Sequence, residues 1–272
     1  MFDCRLIIDP TASGAYNMAV DEALLWGAAE HNTASLRFYH WEEPTLSLGY
    51  FQRYSDRQQH AASLTCAAVR RQTGGGAILH DRELTYSIAL PTSHPLTRQN
   101  EKLYRIVHEV FVEILSPPGH SHGAARPLQM RGQSTKIQAS EEPFLCFQRQ
   151  SPGDVVFIPV TTPKSGVTLT QIPEPPHARK ILGSAQRRYH GAVLQHGSLL
   201  LNRSPAAPEL KGWNDLANLN VATSTLISSI ATQLGQALHL ELHEKKLPPE
   251  LESIATQIAN NKYGSPAWTK RR

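Results

Sequence analysis

The stretch RRQTGGGAILHDRELTYS, residues 70–87, sets three consecutive glycines, Gly74 to Gly76, ahead of an alternating run. Glycine triplets cost backbone entropy, so a chain that keeps one uses positive φ or bare backbone against which something lies. The run after the triplet decides the fold class. Leu84, Tyr86, Ile88 and Leu90 alternate with Thr85, Ser87 and Ala89, which is strand periodicity. A phosphate-binding P-loop needs a lysine and a hydroxyl residue after its glycines at the mouth of a helix. A dinucleotide fingerprint needs G-x-G-x-x-G between strand and helix. Neither is present. The bland alternative is a glycine-rich hairpin turn; the functional one is a loop that holds a ligand, with Arg70 and Arg71 before it and His80 and Asp81 after it.

Outward from this stretch, the chain reads as strands with a few helices. Residues 13–31 predict a helix with Ser13 as N-cap, and Asp21-Glu22 on it read as a solvated or capping face. SLRFYHWE and TLSLGYFQ predict strands separated by Glu43-Pro44, and SLTCAAVRRQ predicts a short strand leading into the glycines. Leu103, Ile106, Val107, Val110, Phe111 and Ile114 form a helical stripe. Residues 116–142 read as a long polar loop. PFLCFQ, GDVVFIPV and GAVLQHGSLLLN carry β character, and the Pro/Thr-rich residues 161–178 read as an extended connection. Two late helices come next, one striped by Leu226, Ile230, Leu234 and Leu238. The other starts at Pro248 and is expected to bury Leu251, Ile254, Ala255 and Ile258. Strands outnumber helices and cluster, so an α+β fold with a mixed or mainly antiparallel sheet is expected over a doubly wound one.

The 272 residues suffice for one large domain with a core. The net charge of +4 is spread along the chain with no basic block of the kind that grips nucleic acid. No apolar run nears the roughly 18 residues that span a bilayer, and the first ten residues lack the plan of a signal peptide. Cys4, Cys66 and Cys146 are sparse, odd in number and unpaired by spacing, which suits a reducing compartment and predicts a cytoplasmic protein. His120 with His122, and His239 with His243, lack a third ligand at a credible interval, so no metal is expected.

Two further segments carry candidate chemistry. In ARKILGSAQRR, Lys180 precedes Gly183, Ser184 and Ala185, small residues that leave room for a substrate beside an ammonium able to bind a carbonyl or phosphate oxygen. A lone lysine near a turn is ordinarily just solvated. Gln195, His196 and Gly197 interrupt a strand, where a histidine is more often structural. Cys66 reads as a small buried hydrophobe. Cys146 ends the polar loop shortly before Pro152-Gly153, and a cysteine at such a junction with a lysine nearby in space could be a nucleophile.

Taken together, RRQTGGGAILHDRELTYS, PFLCF, RKILGSAQRR and LQHGSLLL occur in the order of the lipoate-protein ligase A and octanoyltransferase superfamily. SGAYNMAVDEALL, PTLSLGYFQ and KYGSPAWTKRR agree, so the resemblance runs nearly end to end. Within it the chain looks most like the cysteine-dependent octanoyl-[acyl carrier protein]:protein N-octanoyltransferases. The resemblance implies a single biotin/lipoate ligase-like catalytic domain over residues 1–272, a mixed, mainly antiparallel sheet flanked by helices, with an insertion near 161–177. It implies Cys146 as the nucleophile that becomes an acyl-thioester, and Lys180 as the group that keeps it ionised and binds the acyl carbonyl. Arg71, Thr73, Gly74, Gly75, Gly76, His80, Gly183, Ser184, Ala185, Gln195, His196 and Gly197 are the implied substrate-binding residues. The implied partners are octanoyl-acyl carrier protein and lipoyl-domain proteins, either the glycine cleavage H protein or a 2-oxoacid dehydrogenase E2; no nucleic acid, membrane or cofactor is implied. Open beside this stand an ATP-dependent lipoate ligase, in which Cys146 is incidental, an amidotransferase between lipoyl domains, and a catalytically silent lipoyl-domain binder. The absence of an accessory domain after WTKRR suits the transferase.

Overall fold

The alternating run after the glycines becomes a strand covered on both faces in the middle of the main sheet. The computed structural model of the chain describes residues 1–116, 128–132, 142–158 and 178–272. In chain order its strands are β1 (Phe2–Ile8), β2 (Ala34–Tyr39), β3 (Thr45–Leu48), β4 (Ala67–Arg70), β5 (Ile78–His80) and β6 (Glu83–Leu90). Then come β7 (Leu128–Met130), β8 (Val155–Phe157), β9 (Arg179–Tyr189), β10 (Ala192–Leu200) and β11 (Leu240–Glu244). Eight of them form one sheet in the order β11-β1-β2-β6-β10-β9-β8-β7, and β4-β3-β5 form a smaller one. In the large sheet β1 runs parallel to β11 and β2, and the other neighbours are antiparallel. The expected α+β class and mixed, mainly antiparallel sheet are what the chain adopts.

The helices are α1 (Gly14–Glu30), α2 (Asn100–Leu115), α3 (Trp213–Ala217), α4 (Thr223–Ala237), α5 (Pro249–Ile258) and α6 (Pro266–Thr269). α2 and α4 pack with Leu84, Tyr86, Ile88 and Leu90 in the largest cluster, while α1 and α5 share a second cluster that includes Ala89. The sheet thus lies between two helical layers, and the polar residues of β6 are buried as well. Ile254 and Ile258 lie only half-buried at the margin of the second cluster, a shallower position than their stripe predicted. Among the described residues no helix is long and apolar enough to cross a membrane.

Several expectations are corrected. Ser13 caps α1 through its hydroxyl, which accepts the Tyr16 N–H at 3.3 Å, but Asp21 is not on a solvated face. It is 1 % exposed, because α1 is covered by the sheet on one side and α5 on the other. Its carboxylate accepts hydrogen bonds from the Arg37 guanidinium and the Tyr39 hydroxyl, both at 2.9 Å. Glu22 accepts from Lys262 and Tyr263, each at 2.6 Å. The glycine triplet is no hairpin turn, since the β4 and β5 it joins flank β3 on opposite sides. PFLCFQ is not a strand: only Leu145 makes a bridge, with Ala77, and Cys146–Gln148 coil into a 3-10 turn. The loop expected over 116–142 contains β7, which pairs with β8. Lys180 sits in an eleven-residue strand rather than beside a turn. His120, His122 and the 161–177 insertion lie outside the described residues. Among the described residues no group of three or more His, Cys, Asp or Glu is placed to hold a metal ion.

Candidate active site

A bulge in the β8–β9 pair aims Lys180. Val155 opposes Leu182 and Val156 opposes Lys180, so Ile181 is an extra residue on β9. An extra residue reverses side-chain alternation locally and re-aims its neighbours. The Lys180 side chain consequently lies over Gly183, where an added Cβ would come 2.4 Å from Lys180 Cε and 2.7 Å from Nζ. Glycine there is what leaves the ammonium its place. Asp154, the residue before β8, meets it at 2.9 Å and is 1 % exposed. That carboxylate also accepts the Ser151 N–H at 2.7 Å and the Tyr104 hydroxyl at 3.0 Å.

Cys146 approaches from the other side. Its N–H donates to Ala77 O at 2.7 Å and the Ala77 N–H to Phe144 O at 3.0 Å, so the residue after the glycines anchors the cysteine turn. Gly76 lies against that turn, and a Cβ there would be 3.1 Å from Cys146 Cα. Gly75 has φ +96°, a backbone that side chains resist. Arg71 clamps the loop, donating to the carbonyls of Gly74 and Gly76 at 2.7 Å and to Ser47 O at 2.9 Å. The result places Lys180 Nζ 3.6 Å from Cys146 Sγ. Burial alone works against the charge on this lysine. Attraction to the Cys146 sulfur and the Asp154 carboxylate outweighs burial and holds the ammonium above the usual lysine value. Burial likewise lowers Arg71, to about 10, which leaves it a cation at neutral pH.

A directional hydrogen-bond chain backs the lysine. His108 Nδ1 donates to Gly153 O at 2.7 Å, which leaves Nε2 to accept the Ser184 hydroxyl at 2.7 Å. Ser184 in turn accepts from the Tyr86 hydroxyl at 2.6 Å, and Tyr86 accepts from Gln195 Nε2 at 3.1 Å. Burial depresses His108 to about 4 and raises Tyr86 to about 12, so both are neutral near pH 7. A second set reaches the glycine loop from α1: His196 Nδ1 donates to Asp21 at 3.0 Å, and its Nε2 faces the Thr73 hydroxyl at 2.8 Å.

Some of these groups line a cavity of about 290 Å³ with Met18 and Ile78 among its apolar walls. Of the residues singled out from the sequence, Cys146, Lys180, Arg71, Gly74, Gly75, His80, Gly183, Ser184, Ala185, His196 and Gly197 line it. Thr73, Gly76 and Gln195 do not. Thr73 stands behind His196, Gly76 behind Cys146, and Gln195 is fully buried in the chain that ends at His108. Sequence reasoning passes over Asp154, Tyr104 and His108, and it misreads Asp21 as part of a solvated or capping face. The one signal for Asp154 is an acidic residue directly before the apolar run Val155–Phe157.

Comparison with known proteins gives a consistent family. The family model described as lipoyl protein ligase A/B catalytic domain matches residues 13–220. The octanoyltransferase LipM of Kyrpidia tusciae is 31% identical over 98% of each chain. The protein of the same name from Bacillus subtilis is also 31% identical over 98% of each. Among solved structures, an archaeal bi-partite lipoate protein ligase from Thermoplasma acidophilum, studied with its E2 lipoyl domain, superposes with a TM-score of 0.68. It is 18% identical, over 99% of this chain and 97% of that one.

Proposed function

This chain belongs to the lipoyl protein ligase A/B catalytic-domain family, and on that premise we propose that it is an octanoyltransferase. It moves the acyl group from acyl carrier protein, through a thioester on Cys146, to a lysine of a lipoyl-domain protein. Near-full-length similarity to proteins named octanoyltransferase supports the reaction class. The observation that carries the mechanism is the sulfur of Cys146 lying 3.6 Å from the buried ammonium of Lys180 at the wall of an apolar-sided cavity.

The chemistry rests on those groups. The Cys146 thiolate, with the ammonium beside it, attacks the carbonyl carbon of the carrier-bound thioester. A carbon–sulfur bond to Cys146 forms, the one to the carrier breaks, and the carrier thiolate leaves and takes up a proton. An ammonium has three N–H donors. One is held by Asp154 and one points towards Cys146, which leaves one for the carbonyl oxygen as it gains charge. The Cys146 N–H is committed to Ala77, so the lysine is the donor that this side of the site supplies. Such a donor is worth ~2.7–4 kcal/mol in the transition state. Octanoyl methylenes gain on the order of 0.8 kcal/mol each on burial. In the second half, the neutral lysine amine of the lipoyl domain attacks, an amide forms, the Cys146 thioester breaks, and the amine proton passes to sulfur. One thioester is exchanged for another and then for a more stable amide, so the route needs no nucleotide.

Intact-mass analysis after incubation with octanoyl-acyl carrier protein, without ATP, tests this reading. An octanoyl adduct is expected that hydroxylamine releases and that Cys146→Ala abolishes. An adduct that persists in Cys146→Ala would contradict it, and transfer only with ATP and free lipoate would point to a ligase.

A further inference from the structure

The cavity beside Cys146 shares two of its walls, Lys180 and Phe147, with a smaller one of about 170 Å³. Resting on the octanoyl-transfer reading, we propose that the smaller cavity seats the thiol arm of the donor, with Arg179 and Lys211 holding its phosphate. A thioester has two substituents that diverge from one carbonyl carbon. In this substrate they are opposites: a hydrocarbon chain on one side, and on the other a polar pantetheine arm of two amides that ends in an anionic phosphodiester. A site that fixes the carbonyl at Lys180 therefore needs two chambers of different character meeting at that residue.

The two cavities have that character. The larger presents Met18 and Ile78. The smaller presents the Gln148 side chain, with exposed Arg179 and Lys211 at its rim. The two cations come from separate segments, the first residue of β9 and the link before α3, and converge on one opening. Neither has an ion-pair partner among the described residues. The one carboxylate of the lining, Glu209, is engaged by His60 at 2.8 Å and lies 3.5 Å from Gln148 Nε2. With Arg179 and Lys211 against the single Glu209, the rim of this cavity is net positive, and it meets the larger cavity at Phe147 and Lys180. An anion at the end of a flexible polar chain is the ligand class that fits, through charge-assisted hydrogen bonds.

The test is a pair of donors that differ only in the phosphate: octanoyl-4′-phosphopantetheine and octanoyl-pantetheine. Acylation of Cys146 is followed by intact mass. The native chain should prefer the phosphorylated donor by roughly tenfold in kcat/KM, the scale of one charge-assisted contact, with the difference in KM. The preference should collapse in Arg179→Ala/Lys211→Ala and survive in Arg179→Lys/Lys211→Arg, with thermal unfolding confirming that both variants fold. No preference in the native chain, or a preference that survives the double alanine change, would overturn the assignment. Failure of both donors to acylate native Cys146 would instead strike at octanoyl transfer itself.

Discussion

Replacing Gly183 with alanine tests whether the placement of one ammonium governs the chemistry. The added Cβ would lie 2.4 Å from Lys180 Cε and 3.3 Å from Asp154 Oδ1. Carbon atoms settle at about 3.5–4.0 Å, so the lysine must retreat by about 1 Å or more. Its Nζ now bridges Asp154 at 2.9 Å and Cys146 at 3.6 Å, and a retreat of that size breaks the bridge. Misplacing a catalytic group by about 1 Å costs on the order of 10²-fold in rate, equivalent to about 2.7 kcal/mol of barrier. The strand backbone does not share the penalty. Gly183 does not adopt a left-handed φ, and alanine is favoured over glycine inside a strand by roughly 0.5–1 kcal/mol. Quenched-flow mass spectrometry of Cys146 acylation, run beside urea unfolding, separates the two effects. A slow, folded variant is expected. A folded Gly183→Ala chain that acylates as fast as its parent would refute the reasoning.

Two stability predictions come from the buried polar groups. Asp21→Ala leaves the fully buried Arg37 guanidinium, among the described residues, with the half-buried Asp9 carboxylate 2.6 Å away as its one charged partner, beside the neutral oxygens of Asn17. Breaking a buried pair costs about 3–5 kcal/mol, and with Asp9 retained the lower end is expected in urea unfolding; a shift within about 0.5 kcal/mol is what a surface carboxylate would give. His108 binds its proton less readily when folded, about 4 against 6.5, chiefly because it is buried. The folded state therefore holds fewer protons in that window, and stability falls as pH drops from 6.5 towards 4, by up to about 1.4 kcal/mol per unit. His108→Gln should flatten the pH dependence of the urea midpoint over that range, and an unaltered slope would remove His108 as its source.

The features legible in the sequence have short-range causes. The Ser13 cap, the α2 stripe and the alternation of β6 each need only neighbours in the chain to declare themselves. Cys146 and Lys180 are legible because each interrupts the pattern around it, a cysteine at a loop end and a lysine among small residues. Asp154 is hidden because Pro-Gly-Asp reads as an ordinary turn; its role depends on the β8–β9 bulge, which no local pattern announces. Asp21 is misread because α1 is covered on two sides, so helical periodicity does not mark which polar residue is buried. The 3-10 turn at Cys146 is mistaken for a strand because PFLCFQ is apolar enough for either. The Gln148 N–H to Leu145 O and Arg149 N–H to Cys146 O bonds decide it.

The proposal that sulfur carries the acyl group between two proteins is tested most directly by a chase. Octanoyl-enzyme is freed of carrier and nucleotide and mixed with an unmodified lipoyl domain, and both are followed by intact mass. The octanoyl mass should leave Cys146 and appear on the domain's lysine at the same rate. An acyl-enzyme that stays loaded while the domain is modified, or a domain modified only once ATP and free acid are added, would contradict it.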